Sequence, residues 1–326
     1  MRKRAYFISN RLILVFIFML NCSFGTFLNP QPVLSAKEPN GPPSNSGRIE
    51  AKKLFEIEGL GFPETVKYDP ALDCFFVSNM VGNSTNKDNN GFISRIDANN
   101  PVSAERFIYG GHNGVVLNGP KGMTIQKNVL WVADIDMLRG FDTKTGEPAS
   151  TIDLQEHGAV SLNDLSAHPD GSLYVTDPRI IFYDDGTSKH FGEDRIFRVS
   201  SDHEITVAAK GDIFTLPNGI EWDTINKRFI IVPFGGPSIF EWRPGDSVPK
   251  VIGEGAGNYD GIEIMSDGSL LVSSLKDGTI YKYSGGVAEK LITGLGLPAN
   301  FGMDTKRRRL AIPLLNADKV EIWELK

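Results

Sequence analysis

The chain has 326 residues, and its 40 acidic and 34 basic side chains give a formal net charge of −6. That balance, with no basic run longer than Lys306–Arg309, argues against nucleic acid as a partner. The only cysteines are Cys22 and Cys74, so no internal disulfide survives removal of an N-terminal leader.

Such a leader is the first expected element. Arg2, Lys3, Arg4 and Arg11 precede an apolar run from Leu12 to Leu20, and Ser23-Phe24-Gly25 offers the small residues of a cleavage site. The run is too short for a stable membrane anchor, and Asn21 is a poor neighbour for a lipidated Cys22. Residues 1–25 are expected to be a signal peptide, 26–50 a flexible linker rich in Pro, Gly, Ser and Asn, and 51–326 the folded domain. The mature protein is expected to be an exported monomer, periplasmic or extracellular, with no membrane span.

Beyond the linker, helical periodicity gives way to short Val-, Ile-, Phe- and Leu-rich runs between turn residues, the pattern of many short strands. Six four-residue segments share one register: Pro63-Glu64-Thr65-Val66, Pro120-Lys121-Gly122-Met123, Leu162-Asn163-Asp164-Leu165, Pro217-Asn218-Gly219-Ile220, Tyr259-Asp260-Gly261-Ile262 and Pro298-Ala299-Asn300-Phe301. A turn and a second apolar run follow each, as in Cys74–Asn79 and Leu130–Asp134. Third and fourth runs are visible in several units, as in Arg195–Val199 and Ile205–Ala208. Repeats of this length with four antiparallel strands predict an all-β, six-bladed β-propeller. Lys53–Ile57, which has no blade of its own, is expected to supply the outer strand of the last blade.

The first strand of a propeller blade lines the central channel, so the second position of the six segments forms a ring: Glu64, Lys121, Asn163, Asn218, Asp260 and Ala299. Polar atoms crowded near an axis need partners. Taken singly, Asn218-Gly219 and Asp260-Gly261 are ordinary turn dipeptides; at one shared register they form an oxygen-donor set. Glu64, Asn163, Asn218 and Asp260 are therefore expected to hold one divalent metal ion, with Ca2+ the best match and Mg2+, Mn2+ or Zn2+ as alternatives. Lys121, on the same ring, is expected to meet substrate or to pair with Asp134. The second strands end at the same mouth, where Asn79, Asp134, Asp177 and Ser274 are expected to line the pocket, support the ring or cap strand ends. Cys74, inside an apolar run, reads as a buried, inert thiol.

The ring and the text around it (Asn163-Asp164 with Pro169-Asp170-Gly171, Tyr174–Asp177, Leu216–Gly219 and Asp260-Gly261) resemble the regucalcin–gluconolactonase family, also called senescence-marker-protein-like, over essentially the whole mature chain. The resemblance implies a metal-dependent hydrolase of lactones or related esters, with Glu64, Asn163, Asn218 and Asp260 on the metal and Asp260 also as general base. The chain departs from the family in two places: Pro63-Glu64-Thr65 replaces the usual Glu-Gly-Pro, and Ser161 stands where sugar-lactone members often carry an arginine. Diisopropyl fluorophosphatase and paraoxonase-type propellers make phosphotriester or aryl-ester hydrolysis the nearest enzymatic alternative. A periplasmic binding propeller with a structural ion is the non-catalytic one. Asn86–Gly91 spaces oxygens like a calcium loop but begins with Asn and has no flanking helices, and it is read as a hairpin loop. No His-Glu-x-x-His or Gly-x-Ser-x-Gly motif occurs.

Overall fold

The computed structural model describes residues 49–326; the expected signal peptide, its cleavage site, Cys22 and nearly all of the linker lie outside the described residues. Six four-stranded antiparallel sheets follow one another along the chain. Their inner strands are Pro63–Asp69, Pro120–Gln126, Leu165–Ala167, Pro217–Asp223, Tyr259–Ile264 and Gly302–Asp304, which begin blades 1 to 6. Blades 1, 2, 4 and 5 are built from consecutive strands, and blade 3 from four strands interrupted by an inserted hairpin. The sixth takes its outermost strand from the start of the described chain: Ala51–Ile57 pairs antiparallel with Lys319–Leu325. This closes the ring with both ends of the described residues in one sheet, and Glu50 and Lys326 exchange backbone hydrogen bonds there. Closure removes the open first-to-last gap that would otherwise expose two blade faces.

The core is a set of seams between blades. Met123, Leu130 and Val132 of blade 2 meet Phe76 and Ile93 of blade 1; Phe229, Ile231 and Trp242 of blade 4 meet Tyr174 and Ile196 of blade 3. Equivalent clusters fill the remaining seams. Because both faces of each sheet are covered, the second strands are buried along almost their whole length. This explains why they read as unbroken apolar runs rather than as alternation. Cys74 sits in one of these seams as a buried free thiol, and burial pushes it up to about 12.

One pair of strands among the described residues lies outside the repeat. Blade 3 inserts a hairpin, Ile180–Phe182 paired with Ser188–His190, between its second and third strands. Its base is tied down by the Arg179 guanidinium, which donates to the carbonyls of Gly158 and Phe191, and by His190 Nε2, 3.1 Å from Asp194 Oδ1. No helix among the described residues is long and apolar enough to cross a membrane.

Candidate functional site

The ring residues are aimed by a repeated irregularity. In blades 1, 2, 4 and 5, two residues of the inner strand stand opposite one residue of its neighbour, between Pro63/Val66, Pro120/Met123, Pro217/Ile220 and Tyr259/Ile262. Such a bulge bends the strand and re-aims its side chains. The residues displaced include Glu64, Lys121, Asn218 and Asp260. Hydroxyls on the facing strand take up the freed N–H groups: Ser78 Oγ accepts from Thr65 at 2.9 Å and Ser273 Oγ from Gly261 at 2.7 Å. In blade 3 the regular strand starts later, and Asn163 is held by its backbone instead, donating to the Thr176 carbonyl and accepting from Gly122, both at 2.8 Å.

The glycines after the ring residues are required by crowding. A Cβ at Gly122 would lie 2.4 Å from Asp164 Cα, one at Gly219 2.4 Å from the Asp260 carbonyl oxygen, and one at Gly261 2.5 Å from Asn300 Cα. None of the three has a positive φ. Asn-Gly and Asp-Gly at this register are thus close blade-to-blade contacts around the axis and not turns.

Glu64, Lys121, Asn163, Asn218 and Asp260 all line one cavity of about 230 Å3. Asn163 Oδ1, Asn218 Oδ1 and Asp260 Oδ1 are buried and make no hydrogen bond. Asn218 Nδ2 donates to the Tyr259 carbonyl at 2.9 Å, which fixes the amide with its oxygen turned the other way. Glu64 Oε2 accepts from Thr65 Oγ1 at 2.6 Å. Buried oxygens without donors are costly, about 1–3 kcal/mol each. Here three of them border one cavity together with the Glu64 carboxylate. A hard divalent cation fits this donor set: two carboxylates would balance its charge and two amide oxygens would complete an all-oxygen shell. Burial, reinforced by Asp164, pushes Asp260 up to about 7, and burial with the nearby Asp260 raises Glu64 well above the usual carboxylate range.

Lys121 is buried, and its Nζ donates to the Leu162 carbonyl at 3.4 Å. It does not pair with Asp134, which accepts from the backbone of Asn118 and Gly119 at 2.9 Å and from Arg139 Nε. Of the residues expected near the mouth, only Lys121 borders the cavity; the other four are fully buried and act as caps. Asn79 Oδ1 accepts from Gly61 N at 2.9 Å, Asp177 takes the N–H groups of Val160 and Ser161, and Ser274 Oγ donates to the Gly257 carbonyl. Each side chain reaches the loop leading into its own blade's inner strand, where unpaired backbone groups outcompete the cavity. Ala299 on the ring is wholly buried in an apolar cluster at the mouth.

Sequence reasoning missed the cavity wall. Pro178, Ile180 and Phe182, in and beside the inserted hairpin, line it, as do Gly82, Asn83 and Ser84 from the loop between the second and third strands of blade 1. The available signal was spacing: blade 3 spends residues 178–194 between its second and third strands, whereas blade 2 spends only residues 135–136.

Elsewhere on the inner strands, Lys67 Nζ lies 3.1 Å from Glu221 Oε2, and burial, offset in part by Lys67, pushes Glu263 up to about 7. A carboxylate raised above its unfolded value favours folding while protonated, and that contribution is lost as pH climbs from about 4 to about 7. Glu263→Gln is therefore expected to leave melting near pH 4 nearly unchanged. At pH 8 it should raise the melting temperature by about 4 °C, for a gain of roughly 2 kcal/mol. Thermal melts at the two pH values check this, and an equal shift at both would show that Glu263 does not titrate in this range.

A family profile described as the SMP-30/gluconolactonase/LRE-like region matches residues 93–302. No curated protein sequence gives a significant match. Solved structures share the architecture. A gluconolactonase from Xanthomonas campestris is 18% identical with a TM-score of 0.64, over 86% of this chain and 90% of that one. A calcium-binding protein, regucalcin, from Agrobacterium tumefaciens is 13% identical with a TM-score of 0.62, over 83% and 93%. A luciferin-regenerating enzyme is 12% identical with a TM-score of 0.60, over 86% and 95%. At such identities the likeness speaks for the fold.

Proposed function

The chain belongs to the SMP-30/gluconolactonase/LRE-like family, and on that premise we propose that it is a hydrolase of lactones or related esters whose site is the floor of the axial cavity. The observation carrying this reading is the trio of partnerless buried oxygens of Asn163, Asn218 and Asp260 bordering one cavity with Glu64. These four residues would hold a divalent cation, Ca2+ by the hardness of the donors. Bound there, the cation would supply Lewis-acid polarisation of the substrate carbonyl.

The chain's own groups do the rest. Asn218 is locked by its bond to Tyr259, so its oxygen keeps one direction without reorganisation. Asp260 Oδ1, free of hydrogen bonds, takes the proton of the attacking water. The new C–O bond forms at the carbonyl carbon, the ring C–O bond breaks, and the departing alkoxide recovers a proton to give a hydroxy acid. A cation nearby lowers the basicity of Asp260, while burial raises it, so the two influences oppose each other. Lys121 adds an amine on the same floor; burial lowers its pKa, the carboxylates of Glu64 and Asp260 oppose that, and its protonated form suits an oxygen that becomes negative. The cavity above the ring favours this reading over a purely structural ion, for which a filled channel mouth would suffice.

The test is a panel of lactones, aryl esters and phosphotriesters assayed with saturating Ca2+, Mg2+, Mn2+ or Zn2+ and again after chelation. Lactone hydrolysis lost on chelation and restored by cation is expected; activity toward none of the panel with any cation would overturn the proposal.

A further inference from the structure

The cavity is divided by chemistry. Its charged groups, Glu64, Lys121 and Asp260, lie on the ring, and its walls are apolar on both sides. On one side Phe62, Met80, Phe234, Leu275, Leu297 and Leu315 pack as an apolar cluster at the channel mouth. On the other stand Pro178, Ile180 and Phe182.

Three of the four polar side chains among these walls, those of Asn83, Ser161 and Asn258, are engaged with the protein, and Ser84 is the fourth. Asn83 Nδ2 donates to the Phe182 carbonyl at 3.0 Å and to Asp184 Oδ1 at 2.8 Å, while its Oδ1 accepts from Thr85. Asn258 Nδ2 donates to the Phe234 carbonyl at 3.0 Å, and Ser161 Oγ accepts from Ile180 N at 3.2 Å. The Asn83 contacts also join the blade 1 loop to the blade 3 hairpin. A polyhydroxylated ring in such a space would strand hydroxyls against hydrocarbon, and each stranded group weakens binding by about tenfold or more.

We infer that the substrate is a lactone whose ring carries an alkyl substituent, with the carbonyl on the polar floor and the hydrocarbon between the hairpin and the opposite apolar wall. Sugar lactones are disfavoured by the same wall. This rests on the hydrolase reading above, and the bonds made and broken are those of the ring opening described there. Ser161 sits deep in this arrangement, 1% exposed, with its Oγ accepting from the hairpin's backbone, and it carries no positive charge to offer a sugar acid's carboxylate.

The experiment compares glucono-δ-lactone with a γ-lactone series, in saturating Ca2+, and measures kcat/KM. As the side chain grows from none to about eight carbons, kcat/KM should rise by up to about fourfold per methylene, the factor corresponding to about 0.8 kcal/mol per buried CH2, and then level off. Gluconolactone should fall about 100-fold or more below the best alkyl lactone, as two or more stranded hydroxyls require. The double variant Ile180→Ser, Phe182→Ser should flatten the series. In parallel, calorimetry measures binding of N-alkyl-2-pyrrolidinones, stable to hydrolysis, with the same side chains. Hydrolysis that favours gluconolactone, or rates and affinities independent of chain length, would overturn this inference while leaving the hydrolase reading standing. Chain-length-dependent binding of the pyrrolidinones without hydrolysis of any lactone would support the apolar pocket and overturn the hydrolase reading instead.

Discussion

Asp260→Asn is expected to leave the propeller folded and able to bind a divalent cation, yet to lower lactone turnover by about 10²–10⁴, the usual cost of losing a general base. Asp260 is 5% exposed and starts the bulge of blade 5. Its replacement has nearly the same shape, so the contact between Gly219 and the Asp260 carbonyl and the seams around the ring are undisturbed. An amide oxygen can still coordinate a hard cation, but it cannot accept the proton of an attacking water. The substitution also removes a carboxyl that burial disfavours as an anion, so the cation-free protein should not lose stability. Turnover should therefore stay low even at cation concentrations that saturate the melting temperature. Asn218→Asp is the control, because it keeps an oxygen on the ring and adds charge. Near-full turnover of Asp260→Asn at saturating cation would make Asp260 a ligand and nothing more.

The blades were legible because their strands repeat, and the ring because its residues interrupt that repeat at one register. Lys53–Ile57, within the strand Ala51–Ile57, could be assigned to the sixth blade from the sequence because it is a strand left without companions. Asn218-Gly219 shows where such reading stops. As a dipeptide it signals a turn, and only the approach of Asp260's backbone to Gly219 explains the glycine, a contact between residues 41 positions apart that no local window contains. The ends of the second strands could be read only as far as a choice of roles, for a related reason. Asn79, Asp134, Asp177 and Ser274 end their strands and cap the adjoining loops, because whether such a side chain faces the cavity or the loop depends on unpaired backbone groups brought there by folding. The apolar wall was hidden most completely. It is assembled from non-equivalent segments of several blades, including a hairpin that occurs once, and repetition carries no information about what does not repeat.

Asn163→Leu is expected to separate the ring's cost from its use. Without a cation, Asn163 Oδ1 is a buried oxygen with no donor, and removing it should keep or raise stability, by up to about 1–3 kcal/mol. With a cation the order should reverse. The parent should gain RT ln(1 + [L]/Kd), about 2.7 kcal/mol at a hundred times Kd, which for a domain of this size raises melting by about 5 °C or more. The variant retains both carboxylates but loses one of four oxygens, so it should require far more cation for the same rise. Calorimetric melts of parent and variant across a Ca2+ titration, each starting from chelated protein, show the crossing directly. Parent melting unmoved by Ca2+, Mg2+, Mn2+ or Zn2+ would mean that the ring binds no cation and that its oxygens meet water in the cavity. A parallel rise in both proteins would place the cation elsewhere on the chain. A crossing would identify these oxygens as groups kept at a loss in the cation-free fold because the bound cation needs them, as expected where a site's chemistry opposes the stability of the scaffold that holds it.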